Sequence, residues 1–420
     1  MKKYSNVMNT NVTWIPQIPA HWKLQKINAL FTERKKKVSD KDYKPLSVTK
    51  KGILPQLEHA AKSNDSDNRK LVKKGDFVIN SRSDRKGSCG VSRLDGSVSL
   101  INIVLTPSNE LNSEYIHYLL RNYRFSEEYY RNGRGIVADL WTTRYSEMRT
   151  ILFPVPPRAE QDQIVRFLDW KVSEINKLIG IRRKEIKELE KLCWIVIVNA
   201  ISKVKQKNIS EWKRVRVKQI CRMQSGTNLI SQVIGQSGNY PVYGGNGLRG
   251  YYKNYTNDGQ YVIIGRQGAL AGNVHLVEGR FWATDHAIVV YCSKFLIPRY
   301  AYYLFTGMNL NQYAFNAAAQ PGLSVTKILN LQCDVPSVAR QLEIADRLDE
   351  ICIQLEKIVN NTKKKIKLLQ ELKSVIISDV VTGKIDVRNI PVPAYEHVDD
   401  MVADGGEGND EEPRIPGEED

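Results

Sequence analysis

The sequence predicts an α+β chain written twice: two globular units, each followed by one long helix, the two helices paired as an antiparallel coiled coil with pseudo-two-fold internal symmetry. Three observations carry this prediction. Residues 151–204 resemble residues 331–384 without a gap, at one offset of 180. Val155-Pro156, Ala159, Gln161, Ile164 and Leu168-Asp169 recur as Val335-Pro336, Ala339, Gln341, Ile344 and Leu348-Asp349. Each copy follows a stretch of short β-type runs, and each carries apolar residues at helical spacing.

The first unit spans residues 1–157. Its β-type runs are Asp76–Asn80, Val98–Leu105 and Ile151–Val155, and one helical pattern lies near Glu114–Tyr130. Pro154, Pro156 and Pro157 close the unit. A helix over 158–203 follows, with a seam of Ile175, Ile179, Ile186, Leu189, Cys193 and Val196 interrupted by Arg182. At 1.5 Å per residue, some 40–45 residues span roughly 60–68 Å. A lone helix cannot bury such a seam, so it requires a partner. The second unit, residues 204–336, is rich in Gly, Tyr and Asn, with strands at Tyr240–Tyr243, Gln260–Ile264 and His286–Tyr291. The second helix, 337–384, carries Ile344, Leu348, Ile351, Leu355, Val359, Ile366, Leu369, Leu372 and Ile376, with Lys373 in the place of Cys193; Gly383 stops it. Pairing of the two seams within one chain makes the helices antiparallel; pairing between two chains is the competing arrangement. Residues 385–420 read as an acidic, disordered tail, an expectation from composition alone.

The looser repeat extends into the globular units. Trp22-Lys23 lines up with Trp212-Lys213, and Gly75 to Arg82 with Gly259 to Arg266. The intervening loops differ, so one scaffold carries two different surfaces.

Net charge is +16. Residues 385–420 hold twelve Asp/Glu against two Lys/Arg, a net of −10, which leaves +26 on the other 384 residues. A body this basic points to a polyanion, with double-stranded DNA or RNA foremost. No run of about 18 apolar residues occurs, so no membrane partner is expected. The six cysteines are scattered without a C-x-x-C pair, which makes zinc and disulfide frameworks unattractive and the cytoplasm the expected compartment.

Reactive motifs are scarce. Gly245-Asn246-Gly247-Leu248-Arg249-Gly250 fits G-x-G-x-x-G, but Tyr251-Tyr252-Lys253-Asn254-Tyr255 is no helix start, so a glycine-rich turn is the better reading than a dinucleotide site. There is no phosphate-cradling G-x-x-x-x-G-K-[ST], no H-E-x-x-H, and no N-P-P-[YF] turn for aminomethylation. Asp84-Arg85-Lys86 and Glu185-Ile186-Lys187 have the acid-x-Lys form of some nucleases, a triplet common by chance in so charged a chain. No catalytic and no metal-ligating residues are assigned. Basic and amide-bearing loops remain, and they suit phosphates and base edges. The candidates for DNA contact are Lys50, Lys51, Arg82, Arg85, Lys86, Arg134 and Arg144 in the first unit, and Arg249, Lys253, Asn254, Arg266, Gln267 and Gln320 in the second. Arg82 and Arg266 occupy matching repeat positions.

The alternation of unit and helix resembles the specificity (S) subunit of type I restriction-modification enzymes. The likeness covers nearly all of residues 10–384. It rests on Trp14-Ile15-Pro16 with His21-Trp22-Lys23, on Tyr240-Pro241-Val242-Tyr243-Gly244-Gly245-Asn246-Gly247, and on Gln320-Pro321-Gly322-Leu323-Ser324. It rests also on the helix entries Val155-Pro156 with Ala159, Glu160 and Gln161, repeated as Val335-Pro336 with Ala339 and Gln341. Residues 135–145 lack the Pro-Gly of the second copy, and the acidic tail is foreign to the family pattern.

The resemblance implies that each unit is a target recognition domain reading one half of a bipartite, asymmetric DNA site. It implies that the helices set the unread gap, and that the chain has no catalytic activity of its own. Two copies of a methyltransferase subunit would supply adenine methylation from S-adenosylmethionine. A restriction/translocase subunit would use ATP and Mg. No cofactor is expected in this chain. The alternatives are a self-contained DNA methyltransferase or nuclease, or a coiled-coil tether without DNA specificity.

Overall fold

The computed structural model describes residues 2–56, 67–135, 141–202, 212–267, 271–314 and 322–399. Two compact units emerge, residues 1–183 with 363–420, and residues 184–362. Both boundaries fall inside long helices, Arg158–Ile201 and Val338–Val381, so each unit owns half of each helix.

In the first unit, a four-stranded sheet runs in the order Cys89–Val91, Phe77–Asn80, Asn102–Pro107, Phe31–Glu33. The central strand Phe77–Asn80 is buried throughout. The run expected over Val98–Leu105 is two strands, Gly96–Val98 and Asn102–Pro107, split by a turn in which Asn102 N–H donates to Ser99 O at 3.0 Å. The expected single helix near Glu114–Tyr130 is likewise two, Ser113–Leu120 and Tyr123–Arg131. Asn122 breaks it, because its side chain accepts from Arg124 N–H and so caps a new helix. Strand Lys23–Lys26 pairs antiparallel with Leu152–Val155 and leads the chain into the first long helix.

The second unit repeats the entry: Lys213–Arg216 pairs antiparallel with Gln332–Val335, directly before the second long helix. Its six-stranded sheet runs Cys221–Ser225, Ala287–Cys292, Asn257–Gly265, Val274–Ala283, Tyr240–Gly244, Gly247–Tyr252. The segment after Gly245-Asn246 is therefore a hairpin strand, as the glycine-turn reading requires.

The repeated residues hold repeated joints. Gln161 is 1% exposed and Gln341 fully buried. The Gln161 amide donates to Pro156 O and Glu110 O and accepts from Asn112 N–H. The Gln341 amide donates to Pro336 O and Phe295 O and accepts from Ile297 N–H. Each glutamine thus ties its long helix to the N-cap of a shorter one, Ser113–Leu120 or Pro298–Gly307. A buried amide is tolerated because its polar groups are satisfied in this way. Asp169 and Asp349 recur in the same manner, accepting from Tyr118 and Tyr303 hydroxyls.

Within each unit the helix halves pack antiparallel. In the first, Lys373 Nζ donates to Asn176 Oδ1 at 3.1 Å. In the second, the Cys193 and Cys352 sulfurs lie 3.4 Å apart. Leu372, expected in the seam, is 48% exposed; the helical phase instead turns Lys373 inward. The tail expectation is also corrected for residues 385–399. Val387 is fully buried, Gln163 Nε2 donates to Val387 O and Ile390 O, and Asn176 Nδ2 donates to Val398 O. These residues form a strap along the first long helix; residues 400–420 lie outside the described residues.

Candidate nucleic-acid interface

In the first unit, strand Phe77–Asn80 leads through the buried Ser81 to Arg82 at the surface, followed by a single 3-10 turn, Ser83–Arg85. Asn80 Oδ1 accepts from Arg82 N–H at 3.0 Å and fixes the exit of the loop. Opposite it runs the segment 141–144. Ser83 N–H donates to Trp141 O at 3.0 Å, and Thr143 N–H donates to Ser81 O at 2.9 Å. Arg134 and Thr142 exchange both backbone hydrogen bonds, at 3.1 and 3.0 Å. Thr143 is fully buried, with Tyr129 OH donating to its carbonyl at 2.9 Å. The pinned strip brings Arg82, Arg134 and Arg144 together beside Arg85 and Lys86, with Arg82, Arg85, Arg134 and Arg144 exposed. Lys86 pairs with Glu127 at 2.6 Å, and its ammonium holds that carboxyl below the usual carboxylate range. Glu147 lies 4.0 Å from Arg134.

Lys50 and Lys51 belong elsewhere. They form the turn of hairpin Leu46–Thr49/Gly52–Pro55, where Arg121 donates to Lys50 O at 2.6 Å.

In the second unit, Arg266 and Gln267 leave the end of strand Asn257–Gly265. Arg266 N–H donates to His286 O at 2.9 Å, Leu323 N–H donates to Arg266 O at 2.8 Å, and Gln267 bridges Gly322. The turn Gly244-Gly245-Asn246-Gly247 packs onto this junction. A Cβ at Gly245 would stand 3.0 Å from His286 O and 3.3 Å from Gln267 O, a tight contact that glycine relieves. Gly247 has φ +89° and faces the His275 ring. His275 is half-buried, and burial pushes its pKa down, which keeps the imidazole neutral at neutral pH. Arg249 lies against Gly244 and donates to Ser231 Oγ at 3.3 Å.

Lys253 and Asn254 do not join this group. They follow strand Gly247–Tyr252 at the end away from the turn, beside a cleft of about 410 Å³ lined by Tyr251 and Tyr252. Gln320 lies outside the described residues.

The matching of Arg82 and Arg266 in sequence is thus matched in backbone: each sits where a sheet strand ends and a segment just ahead of a long-helix entry crosses it. Sequence reasoning passed over Trp141 and His286. For Trp141 a signal existed, an aromatic residue followed within three positions by Arg144. For His286 the signal is tertiary, a backbone carbonyl meeting Arg266.

Among the described residues no group of three or more His, Cys, Asp or Glu side chains is placed to hold a metal ion, and no helix is long and apolar enough to cross a membrane.

Residues 209–368 match the family described as the Type I restriction modification DNA specificity domain. The specificity subunit of the type I restriction enzyme EcoprrI from Escherichia coli is 38% identical over 201 residues, 47% of this chain and 49% of the relative. The match therefore spans about half the length of that relative. The chain also superposes on one from a study of complex assembly and conformational transition of the type I R-M system. Identity there is 14% and the TM-score 0.64, over 88% of this chain and 99% of that one, a likeness of fold. The crystal structure of the HsdS subunit from Thermoanaerobacter tengcongensis aligns at 16% identity over 88% and 98% of the two chains, with a TM-score of 0.44.

Proposed function

We propose that this chain, which carries the type I restriction modification DNA specificity domain and belongs with the specificity subunits of type I restriction-modification enzymes, is the DNA-reading, non-catalytic subunit of such a complex. One observation carries the reading. Two scaffolds with the same joints present different basic loops at the same place, Arg82 with Arg134 and Arg144 in one, Arg266 with Gln267 in the other. Arginine suits guanine or phosphate, and glutamine suits adenine. Dissimilar loops on like scaffolds read dissimilar half-sites, so the DNA site is bipartite and asymmetric.

The partners follow from the likeness to type I specificity subunits. A methyltransferase subunit using S-adenosylmethionine acts on the site, and a restriction/translocase subunit uses ATP and magnesium. Two methyltransferase copies are supported by a second apolar stripe. Leu178, Leu192 and Ile195 are 47%, 46% and 38% exposed, and their repeat mates Ile358, Leu372 and Val375 are 44%, 48% and 54% exposed. Equivalent exposed apolar positions on both helices suit two equivalent docking partners.

Methylation sequencing of cells expressing the chain with its methyltransferase subunit tests the reading. A two-part asymmetric motif is expected. Arg85→Ala should change only the half read by residues 1–157, at a cost of about 1–3 kcal/mol if Arg85 bonds a base. A single continuous motif, or an effect of Arg85→Ala confined to the other half, would contradict it. Methylation by the purified chain alone would favour the self-contained enzyme.

A further inference from the structure

Trp141 is 38% exposed, an unusual place for a tryptophan on a loop. Its backbone is not free to fold the ring away. Ser83 N–H holds its carbonyl, the next residue is locked into both Arg82 and Arg134 by backbone bridges, and Thr143 is fully buried. The ring therefore stands on a rigid strip framed by the exposed Arg82, Arg134 and Arg144. Among the described residues, Asp84 lies 3.9 Å from Arg85, Glu147 4.0 Å from Arg134 and Glu127 2.6 Å from Lys86, so three acids stand against five cations. An aromatic face inside a cationic frame matches a nucleobase stack with its phosphates, and fits an apolar protein surface poorly, since docking there would desolvate the guanidiniums.

Resting on the DNA-reading assignment above, we infer that Trp141 enters the duplex at the half-site of the first unit, as a wedge that opens one base step, while the arginines hold the flanking phosphates. Apolar side chains inserted at a base step partly unstack it and make recognition depend on how easily that step opens. The first half-site would thus be read partly through deformability.

The test uses the full-length chain and duplexes carrying the methylation motif, with 2-aminopurine placed in turn at each position of the first half-site. No methyltransferase is present, so no enzyme extrudes a base. At saturation the wild-type chain should raise fluorescence at one step. Trp141→Ala should abolish the rise and weaken binding roughly ten- to hundredfold, while Trp141→Phe keeps most of both. Trp141→Gln, polar and of comparable reach, should also lose the rise and replaces the alanine variant if that fails to fold; unchanged binding to the second half-site is the control for folding. A saturated complex with no rise at any position, or an equal rise with Trp141→Ala or Trp141→Gln, overturns the wedge, as does lost subunit assembly without change in DNA fluorescence. Absence of sequence preference in both half-sites would instead overturn the DNA-reading assignment itself.

Discussion

Asp169 and Asp349 stand at one repeat position and differ in what surrounds them. Asp349 accepts from Tyr303 and pairs with Arg299. Asp169 accepts from Tyr118 at 2.8 Å, and burial pushes its pKa up. A raised carboxyl pKa means the folded state disfavours the charge, so the stability tied to protonation is present below the ordinary value near 4 and fades as pH rises through the folded pKa. Asp169→Asn should therefore be neutral or slightly stabilising at pH 7, with the difference vanishing below about pH 4. Asp349→Asn should destabilise by about 1 kcal/mol, because Arg299 loses one of its two carboxylate partners and keeps only Asp346. Urea denaturation at both pH values checks this; equal shifts of one sign for both variants would contradict it. The sequence showed that Leu168-Asp169 recurs as Leu348-Asp349, and that Gln161 recurs as Gln341, but not why. Their partners, Tyr118 and Asn112, Tyr303 and Ile297, lie 44 to 51 positions away in the chain, beyond any local pattern.

At the scale of elements, periodicity located both long helices to within two or three residues at either end. It misplaced Leu372 because hydrophobicity favours leucine over lysine, while the phase of the helix turns Lys373 inward to Asn176. A buried polar contact of this kind costs stability and specifies register. The ten-residue strand Val274–Ala283 went unseen, since Glu278, Gly279 and Arg280 break its alternation. The strap at 385–399 was hidden by composition: the acids of residues 400–420 dominated the average and masked Val387, Ile390 and Val398. The helix seam makes a further prediction. Burial and Cys193 push the Cys352 thiol up to about 12, so it stays protonated at neutral pH. Alkylation of Cys352 by iodoacetamide at pH 8 should run more than tenfold slower than that of a model thiol with a pKa near 8.5. Mass mapping that found Cys352 labelled as fast as such a thiol would show that the seam opens.

At the scale of the whole molecule, charge is the coarse signal and repetition the fine one. The excess of +26 outside residues 385–420 named a polyanion, and no arrangement of loops could be read from it. Which basic residues converge depended on how the hairpins fold: Arg82, Arg134 and Arg144 meet, whereas Lys50-Lys51 and Lys253-Asn254 sit on other hairpins. The duplication, by contrast, was visible at once, because 54 residues at a single offset leave no freedom of alignment. The function proposed here asks those duplicated helices to set the unread gap between half-sites. Insertion of four residues after Lys184 and after Lys364, matching positions of the repeat, tests this most directly. The insertion adds about 6 Å of helix, close to two base pairs. Methylation sequencing should then return both half-sites unaltered with the gap about two base pairs longer; an unchanged gap, with both halves still read, would contradict the account.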